Sequence, residues 1–400
     1  MTVARISKSV GTGLTWAALL IAVGASPGVA APEPAAAVAA PHWSKGQLDR
    51  LGQWLDAAPG DALNGVAAES DRLRAARSRG DAEAVDIVAT AAAVHLLDAH
   101  RNGCCERTSR EGWRIKPEPQ GQTESAAVAG AVAADDLDRL FANARPFHPY
   151  YLALRHAYAT EQDEAHRATL AANLDRWRWM PRRLGNRYLL VNTAAFEATL
   201  WEDGKATGRW QVIVGKQGSP TPIFAATVTG VIFNPYWEIP ASIVDESIGR
   251  LMTQHPAEAA KKGYVIENGR YRQRPGPQNS LGLMKLVMPN PYNVYLHDTP
   301  AQSLFQRDVR AFSHGCVRVG DAMGLAEALL RTRPEWTRAA IDQAVAAEAT
   351  QLVRLDRPIA VYVTYFTAEP DDLGNIRYFP DIYGRDHLPA GKTVSDLCTR

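Results

Sequence analysis

PRRLGNRYLLVNTAAFEATLWEDG, residues 181–204, is where this chain changes its hydrophobic rhythm. Before Pro181 apolar side chains return every three or four positions; after it they alternate or run together in short blocks closed by turn residues. The change predicts strands at 188–192 and 195–202, and Asp203-Gly204 predicts a tight hairpin into a returning strand at 210–214. A shift of period from near 3.6 to 2 at a proline, which cannot continue a helix, marks a new domain rather than a longer helix. Further strands are expected at 226–233, 281–288, 292–297 and 359–366, with helices at 322–331 and 336–347. The fold class expected is α+β: an all-helical amino-terminal unit, then a β-rich one.

Upstream of the change, Leu48, Leu51 and Leu55 predict a helix at 45–57, and Val85, Val88, Ala92 and Leu96 another at 82–100. A polar stretch, 101–125, interrupts the pattern. Helical spacing returns at Leu137, Leu140 and Phe141, stops at Pro146, and runs on from 150 to 178 with Tyr151, Leu154 and Tyr158 on one face. The helical unit thus covers 42–180. Ahead of it, Arg5 and Lys8 precede an apolar run, 14–23, too short to span a bilayer, and Gly28-Val29-Ala30 offers a small-x-small cleavage site. Residues 1–30 read as a signal peptide and 31–41 as an Ala/Pro spacer, the alternative being an uncleaved anchor that leaves the rest outside the membrane. The β-rich unit covers 181–386, with a helical insert at 241–272 read as a lid, opened by a capping box at Ser242 to Asp245; 387–400 is a tail.

The 400 residues are 46% apolar and 22% charged, the profile of a globular chain. Lys plus Arg total 44 against 43 Asp plus Glu, without a long like-charged block, which argues against a nucleic-acid partner or a polybasic membrane footprint. Export favours paired cysteines. Cys104 and Cys105 are adjacent and would form a strained bridge; if one of them joins Cys398, the chain's ends are stapled and Cys316 stays free.

The densest group of reactive side chains is Ser313-His314-Gly315-Cys316-Val317-Arg318-Val319, with His297-Asp298 upstream and fifteen residues separating His297 from Ser313. Alternation along 294–297 sends Tyr295 and His297 to the face opposite Val294 and Leu296, out of the core. A thiol is mostly protonated at neutral pH and needs a base or positive surroundings to become a nucleophile. His297, His314 and Arg318 supply both to Cys316, and Gly315 lets main-chain N–H groups turn toward a developing oxyanion. Against this stand plainer readings. Cys316 is read alternatively as a small buried hydrophobe, and Asp298 as a cap for the turn at Thr299-Pro300. His297, Asp298, His314 and Cys316 are also zinc-ligand types, but without CxxC or HExxH spacing; neither a metal nor a cofactor is expected.

These residues resemble the active-site signature of the YkuD-type L,D-transpeptidases. Five further segments, NLDRWRWMP (173–181), NPYWEIPASI (234–243), RQRPGPQNSLGLMKL (272–286), VYLHDTP (294–300) and DIYGRD (381–386), resemble the large YcbB-like periplasmic branch in the same order. The resemblance implies a helical scaffold followed by a YkuD-like L,D-transpeptidase domain with a capping insert. It implies a periplasmic enzyme acting on peptidoglycan tetrapeptide stems as donor and acceptor, alongside other cell-wall synthases. Cys316 would attack the stem, expel D-alanine, hold the acyl group as a thioester and pass it to an amine in a 3→3 cross-link. His297 would be the base, with His314 beside it; Ser313, Gly315 and Arg318 would shape the oxyanion region, and a carbapenem would acylate Cys316. Tyr236, Trp237, Tyr295 and Asp298 are candidate substrate contacts, with Tyr292 as a further aromatic in the groove. Lys285 and Arg310 read as solvated surface. Two departures stand out: many relatives carry Asn where this chain has Arg318, and the branch's small peptidoglycan-binding domain is not recognisable. A hydrolase of stem peptides or lipoprotein-murein links on the same framework, and a non-catalytic peptidoglycan-binding scaffold, are the rival readings.

Overall fold

The computed structural model describes residues 40–104, 110, 112–117, 119 and 121–386; the expected signal peptide, the spacer up to 39 and the tail 387–400 lie outside them. Helix α1 (Lys45–Ala57) starts on Ser44, whose hydroxyl accepts the Gln47 N–H while the Gln47 side chain accepts the Ser44 N–H, a reciprocal cap that satisfies two otherwise orphaned donors. Helices α2 (Asn64–Arg79), α3 (Ala82–Asn102), α4 (Glu124–Ala133) and α5 (Leu137–Ala144) complete a first apolar core with it. Leu51, Leu55, Val66, Ala89, Leu96 and Phe141 are wholly buried there. Two of these helices go beyond the periodicity reading. Charged residues outnumber the inward Val66 and Leu73 of α2, and α4 is a short alanine-rich helix capped by Thr123. Cys104, just after α3, is disulfide-bonded, and Cys316 is free; the pairing with Cys398 falls outside the described residues.

The expected helical run at 150–178 is two helices, α6 (Pro149–Thr160) and α7 (Glu164–Arg178). Glu161 accepts the N–H groups of Gln162 and Asp163, and Asp163 then caps α7, so local side-chain bonds end one helix and start the next. Tyr151, Leu154, Leu174 and Trp177 pack into a second core together with the sheet, so the division between cores falls after α5, ahead of the change of rhythm at Pro181. The two cores are joined by a buried ion cluster. Asp61, with 0% exposure, sits on the turn after α1; Arg145 and Arg155 approach its carboxylate to 3.1 and 2.9 Å, and the Tyr151 hydroxyl donates to it at 2.8 Å. Arg178 donates to the Asp61 carbonyl and pairs with Asp175 at 3.1 Å.

The sheet holds β1 (Arg187–Asn192), β2 (Glu197–Glu202), β3 (Lys205–Gly215), β4 (Phe224–Phe233), β8 (Met284–Val287), β9 (Leu296–His297), β10 (Ala311–Ser313), β11 (Val317–Val319) and β12 (Gln351–Thr364). Their order, β10-β3-β11-β9-β8-β4-β12-β1-β2 with β2 also bonded to β3, closes eight strands into a ring and leaves β10 outside on β3. The β2–β3 hairpin turns at Asp203 and Gly204, both at positive φ (47° and 77°), as the sequence leads one to expect. Strand β12 begins at Gln351, earlier than expected, because its register shifts between Arg354 and Ile359, around Pro358, and the alternation breaks there. Helices α11 (Ala322–Leu330) and α12 (Arg338–Ala346) cover the ring, and β13 (Ala368–Pro370) with β14 (Ile376–Tyr378) forms a separate hairpin.

The insert is not purely helical. It is a three-stranded sheet of β5 (Trp237–Glu238), β7 (Arg270–Gln273) and β6 (Tyr264–Glu267), in that order, carrying α8 (Ala241–Ile243), a π-turn at Val244–Ile248, α9 (Gly249–Gln254) and α10 (Pro256–Lys261). The expected capping box at Ser242 does not form: Pro240 is the residue before the helix, so Ser242 already lies inside it.

Candidate active site

Three strands bring the reactive residues together. Parallel pairing of β11 with β9 sets Arg318 opposite His297, and antiparallel pairing of β8 with β9 sets Lys285 opposite His297. Lys285, His297 and Arg318 therefore form a row across the sheet, on the face opposite the buried Leu286, Leu296 and Val317. Cys316 lies one residue before β11, and Tyr295 two before the paired histidine, so both join that face; the Val317 N–H donates to the Tyr295 carbonyl at 2.9 Å.

His297 is on the predicted face but is only 4% exposed. Its Nδ1 meets the Asp298 carbonyl, an acceptor, so Nδ1 carries the proton and Nε2 is left as the basic nitrogen. Burial, reinforced by the Arg318 charge, pushes the imidazole down to about 3, so it rests neutral. The partly exposed Cys316 sulfur lies 3.7 Å from the Asn293 carbonyl. Burial raises its pKa, opposed by the Tyr295 backbone and by the charges of Lys285 and Arg318. The resting pair is thus a neutral thiol and a neutral imidazole, not the pre-formed thiolate the sequence suggests, because desolvation outweighs the neighbouring cations.

The turn that carries the sulfur is held from below. Gly315 has φ of 116°, a conformation open to glycine and strained for other residues. The Ser313 hydroxyl accepts the Gly315 N–H at 3.0 Å and donates to the Cys316 carbonyl at 2.5 Å. The Thr221 hydroxyl donates to the Gly315 carbonyl and accepts the Gly215 N–H, both at 2.9 Å. Beneath it the Tyr383 hydroxyl donates to the Gly215 carbonyl at 2.7 Å and accepts the Thr221 N–H at 3.3 Å. Tyr365 accepts the Tyr383 N–H at 3.0 Å and donates to Asp381.

Several sequence candidates sit elsewhere. His314 is exposed, and its Nε2 is 3.0 Å from Glu246 of the insert and 3.4 Å from the Lys216 ammonium, so it links the Cys316 turn to the insert. Its hydrogen bond, with its charge, holds Glu246 below the usual carboxylate range. Asp298 accepts the Leu283 N–H at 2.8 Å and the Gln302 amide at 3.2 Å, a local tie. Tyr236 lies against the Arg272 guanidinium at 4.7 Å, Trp237 pairs with Gln273 within the cap sheet, and Tyr292 packs on Phe224. Tyr295 lies on the Cys316 face beside Lys285, whose ammonium stands 3.7 Å from its ring centre. Lys285 is a residue the sequence reading assigned to the surface; its signal was alternation, since Met284 and Leu286 face the core and Lys285 must face His297. Arg310, the other such cation, donates to the carbonyls of Val212, Arg307 and Phe196. Among the described residues no three of His, Cys, Asp and Glu converge so as to hold a metal ion.

Known proteins resemble this chain in both its helical and its β-rich part. Residues 186–339 match the YkuD family, described as an L,D-transpeptidase catalytic domain, and residues 35–157 match the Scaffold domain family. A Haemophilus influenzae protein named "Putative L,D-transpeptidase" is 32% identical over 240 residues, 54% of this chain and 48% of that one, so the chain spans about half the length of the curated relative it matches. Solved structures of L,D-transpeptidases from Mycobacterium smegmatis and Mycobacterium tuberculosis H37Rv align over 44% of this chain, and over 58% and 57% of theirs, at 16% and 14% identity. Both have a TM-score of 0.24, too partial a superposition to bear on the fold. Over residues 186–339 the chain is thus similar to YkuD L,D-transpeptidase catalytic domains, and over residues 35–157 to Scaffold domains.

Proposed function

We propose that the protein is a peptidoglycan L,D-transpeptidase of the bacterial cell envelope, acting in the periplasm with Cys316 as nucleophile and His297 as its base. The observation that carries the reading is a neutral imidazole with Nε2 left basic, on the strand paired beside the one that starts after the only free cysteine among the described residues. In the first half-reaction the Cys316 proton passes to His297 Nε2 as sulfur bonds to the carbonyl carbon of the third stem residue. The oxyanion forms against the Cys316 N–H, which meets no acceptor among the described residues, while Ser313 holds the neighbouring Gly315 N–H. Collapse breaks the C–N bond, and His297 returns its proton to the departing D-alanine amine. An acceptor amine, such as the side-chain amine of diaminopimelate on a second stem, then attacks the thioester, loses a proton to His297 and restores the thiol.

The roles of Cys316 and His297, and Ser313, Gly315 and Arg318 as the frame around them, belong to this proposal, as do the stems on both sides and the partnership with other cell-wall synthases. Mass analysis of muropeptides after incubation tests it. Cross-linked dimers lacking terminal D-alanine, absent with Cys316→Ala, support transfer; tripeptide monomers alone replace it with a hydrolase, and intact stems with no thioester replace it with a binding protein. Recovery of the protein from the cytoplasm of its host would remove the envelope assignment.

A further inference from the structure

Resting on the proposed reaction, we infer that Lys285 and Arg318 form a carboxylate-reading site beside Cys316, which takes the terminal carboxylate of the D-alanine that leaves the acyl donor. The geometry comes from register: the two cations flank His297 in one row across β8, β9 and β11, on the nucleophile's face of the sheet. Neither side chain hydrogen-bonds to, or ion-pairs with, a carboxylate among the described residues. Glu238, the carboxylate whose charge Lys285 feels, is already paired with Arg272 at 2.6 Å. Both cations are partly withdrawn from water, and burial lowers the pKa of each.

Burying two like charges with no counter-ion is costly, and a protein keeps such an arrangement where a ligand supplies the missing charge. Activating the sulfur does not account for them, since the thiol remains above its usual range despite both charges. The substrate has an anion at the right place. In a tetrapeptide donor the D-alanine carboxylate carbon is three bonds from the carbonyl carbon that Cys316 attacks, so a cation beside the sulfur meets it as the bond forms. Lys285 is further aimed by the Tyr295 ring at 3.7 Å, which fixes the ammonium without neutralising it. A free carboxylate on the donor would then be a requirement, and longer stems, whose corresponding group is an amide, would be poor donors.

Two measurements on the full-length protein test this. The first needs no turnover: the alkylation rate of Cys316 by iodoacetate and by iodoacetamide, read site by site from peptide masses, in wild type, Lys285→Met and Arg318→Met. The ratio of anionic to neutral reagent should fall about tenfold or more in each variant; an unchanged ratio overturns the site. The second compares a tetrapeptide donor having a free carboxy terminus with its carboxamide. Wild type should prefer the acid about tenfold or more in kcat/KM, with the preference collapsing in both variants. Turnover without that preference overturns the substrate assignment. An intact alkylation preference with no turnover of either donor leaves an anion site standing and sinks the transpeptidase reading instead.

Discussion

Around Asp61 every guanidinium meets an acceptor, whereas Lys285 and Arg318 beside Cys316 meet no carboxylate among the described residues. The first cluster is complete in the free protein. It spans the turn after α1, the α5–α6 link, α6 and α7, and so bolts the two apolar cores to each other. The second lies across the sheet and leaves its positive charges on the face of Cys316. Equal chemistry is thus put to opposite ends: a closed set of charges contributes to folding, and an open one contributes to binding.

The largest contrast is in activity. Cys316→Ala should lower turnover by about 10⁴-fold or more while moving stability by less than about 1 kcal/mol, and His297→Ala should lower it by about 10²–10⁴-fold; thermal melts beside the muropeptide assay check both. A Cys316→Ala protein that melts like a Asp61→Ala one would erase the distinction between the regions. Acid should strain both regions, because each holds a neutral histidine. His100, near Asp61, His297 beside Cys316, and His148 between Trp177 and Trp201 are all pushed down to about 3 by burial. Their pKa values are lower folded than unfolded, so the unfolded chain binds protons first. Stability is full above about pH 6.5 and falls below it, by about 1.4 kcal/mol per histidine per pH unit. A flat melting temperature between pH 7 and 5 would show these rings to be hydrated.

Asp61→Ala strands Arg145 and Arg155 and should cost about 3–5 kcal/mol in urea unfolding. Here the comparison becomes sharpest, for Lys285→Met at the open cluster should change stability in the other direction, by about 1 kcal/mol in favour of the fold, since an unpaired cation gives way to an apolar chain of similar length. A loss there comparable with that of Asp61→Ala would mean that Lys285 is structural.

How much of this was readable beforehand follows from which interactions are local. The hairpin at Asp203-Gly204, the face of His297 and the helices at 45–57 and 82–100 depend on neighbours in sequence, and each is where periodicity puts it. Helix α2 was hidden because packing against α3, not its own pattern, decides it. The SHGC segment drew attention to Cys316, but the placement of His314 did not follow from it: proximity in sequence could not reveal that Glu246, in a distant insert, claims its Nε2. The same holds for Asp298 and Arg310, whose partners Leu283, Val212 and Phe196 are distant in sequence and brought close by the fold. Burial was the other blind spot, because whether His297 is charged or Lys285 is solvated depends on what the fold lays over them.

The props under the nucleophile turn have a bearing on timing. Thr221 steadies Gly315, but Tyr383 steadies Thr221, and Asp381 with Tyr365 positions Tyr383. A nascent chain that has already extruded Cys316 still lacks the residues that set its angle. The hydrogen-bonded support of the Cys316 turn is therefore complete only once residues 365–383 have been made.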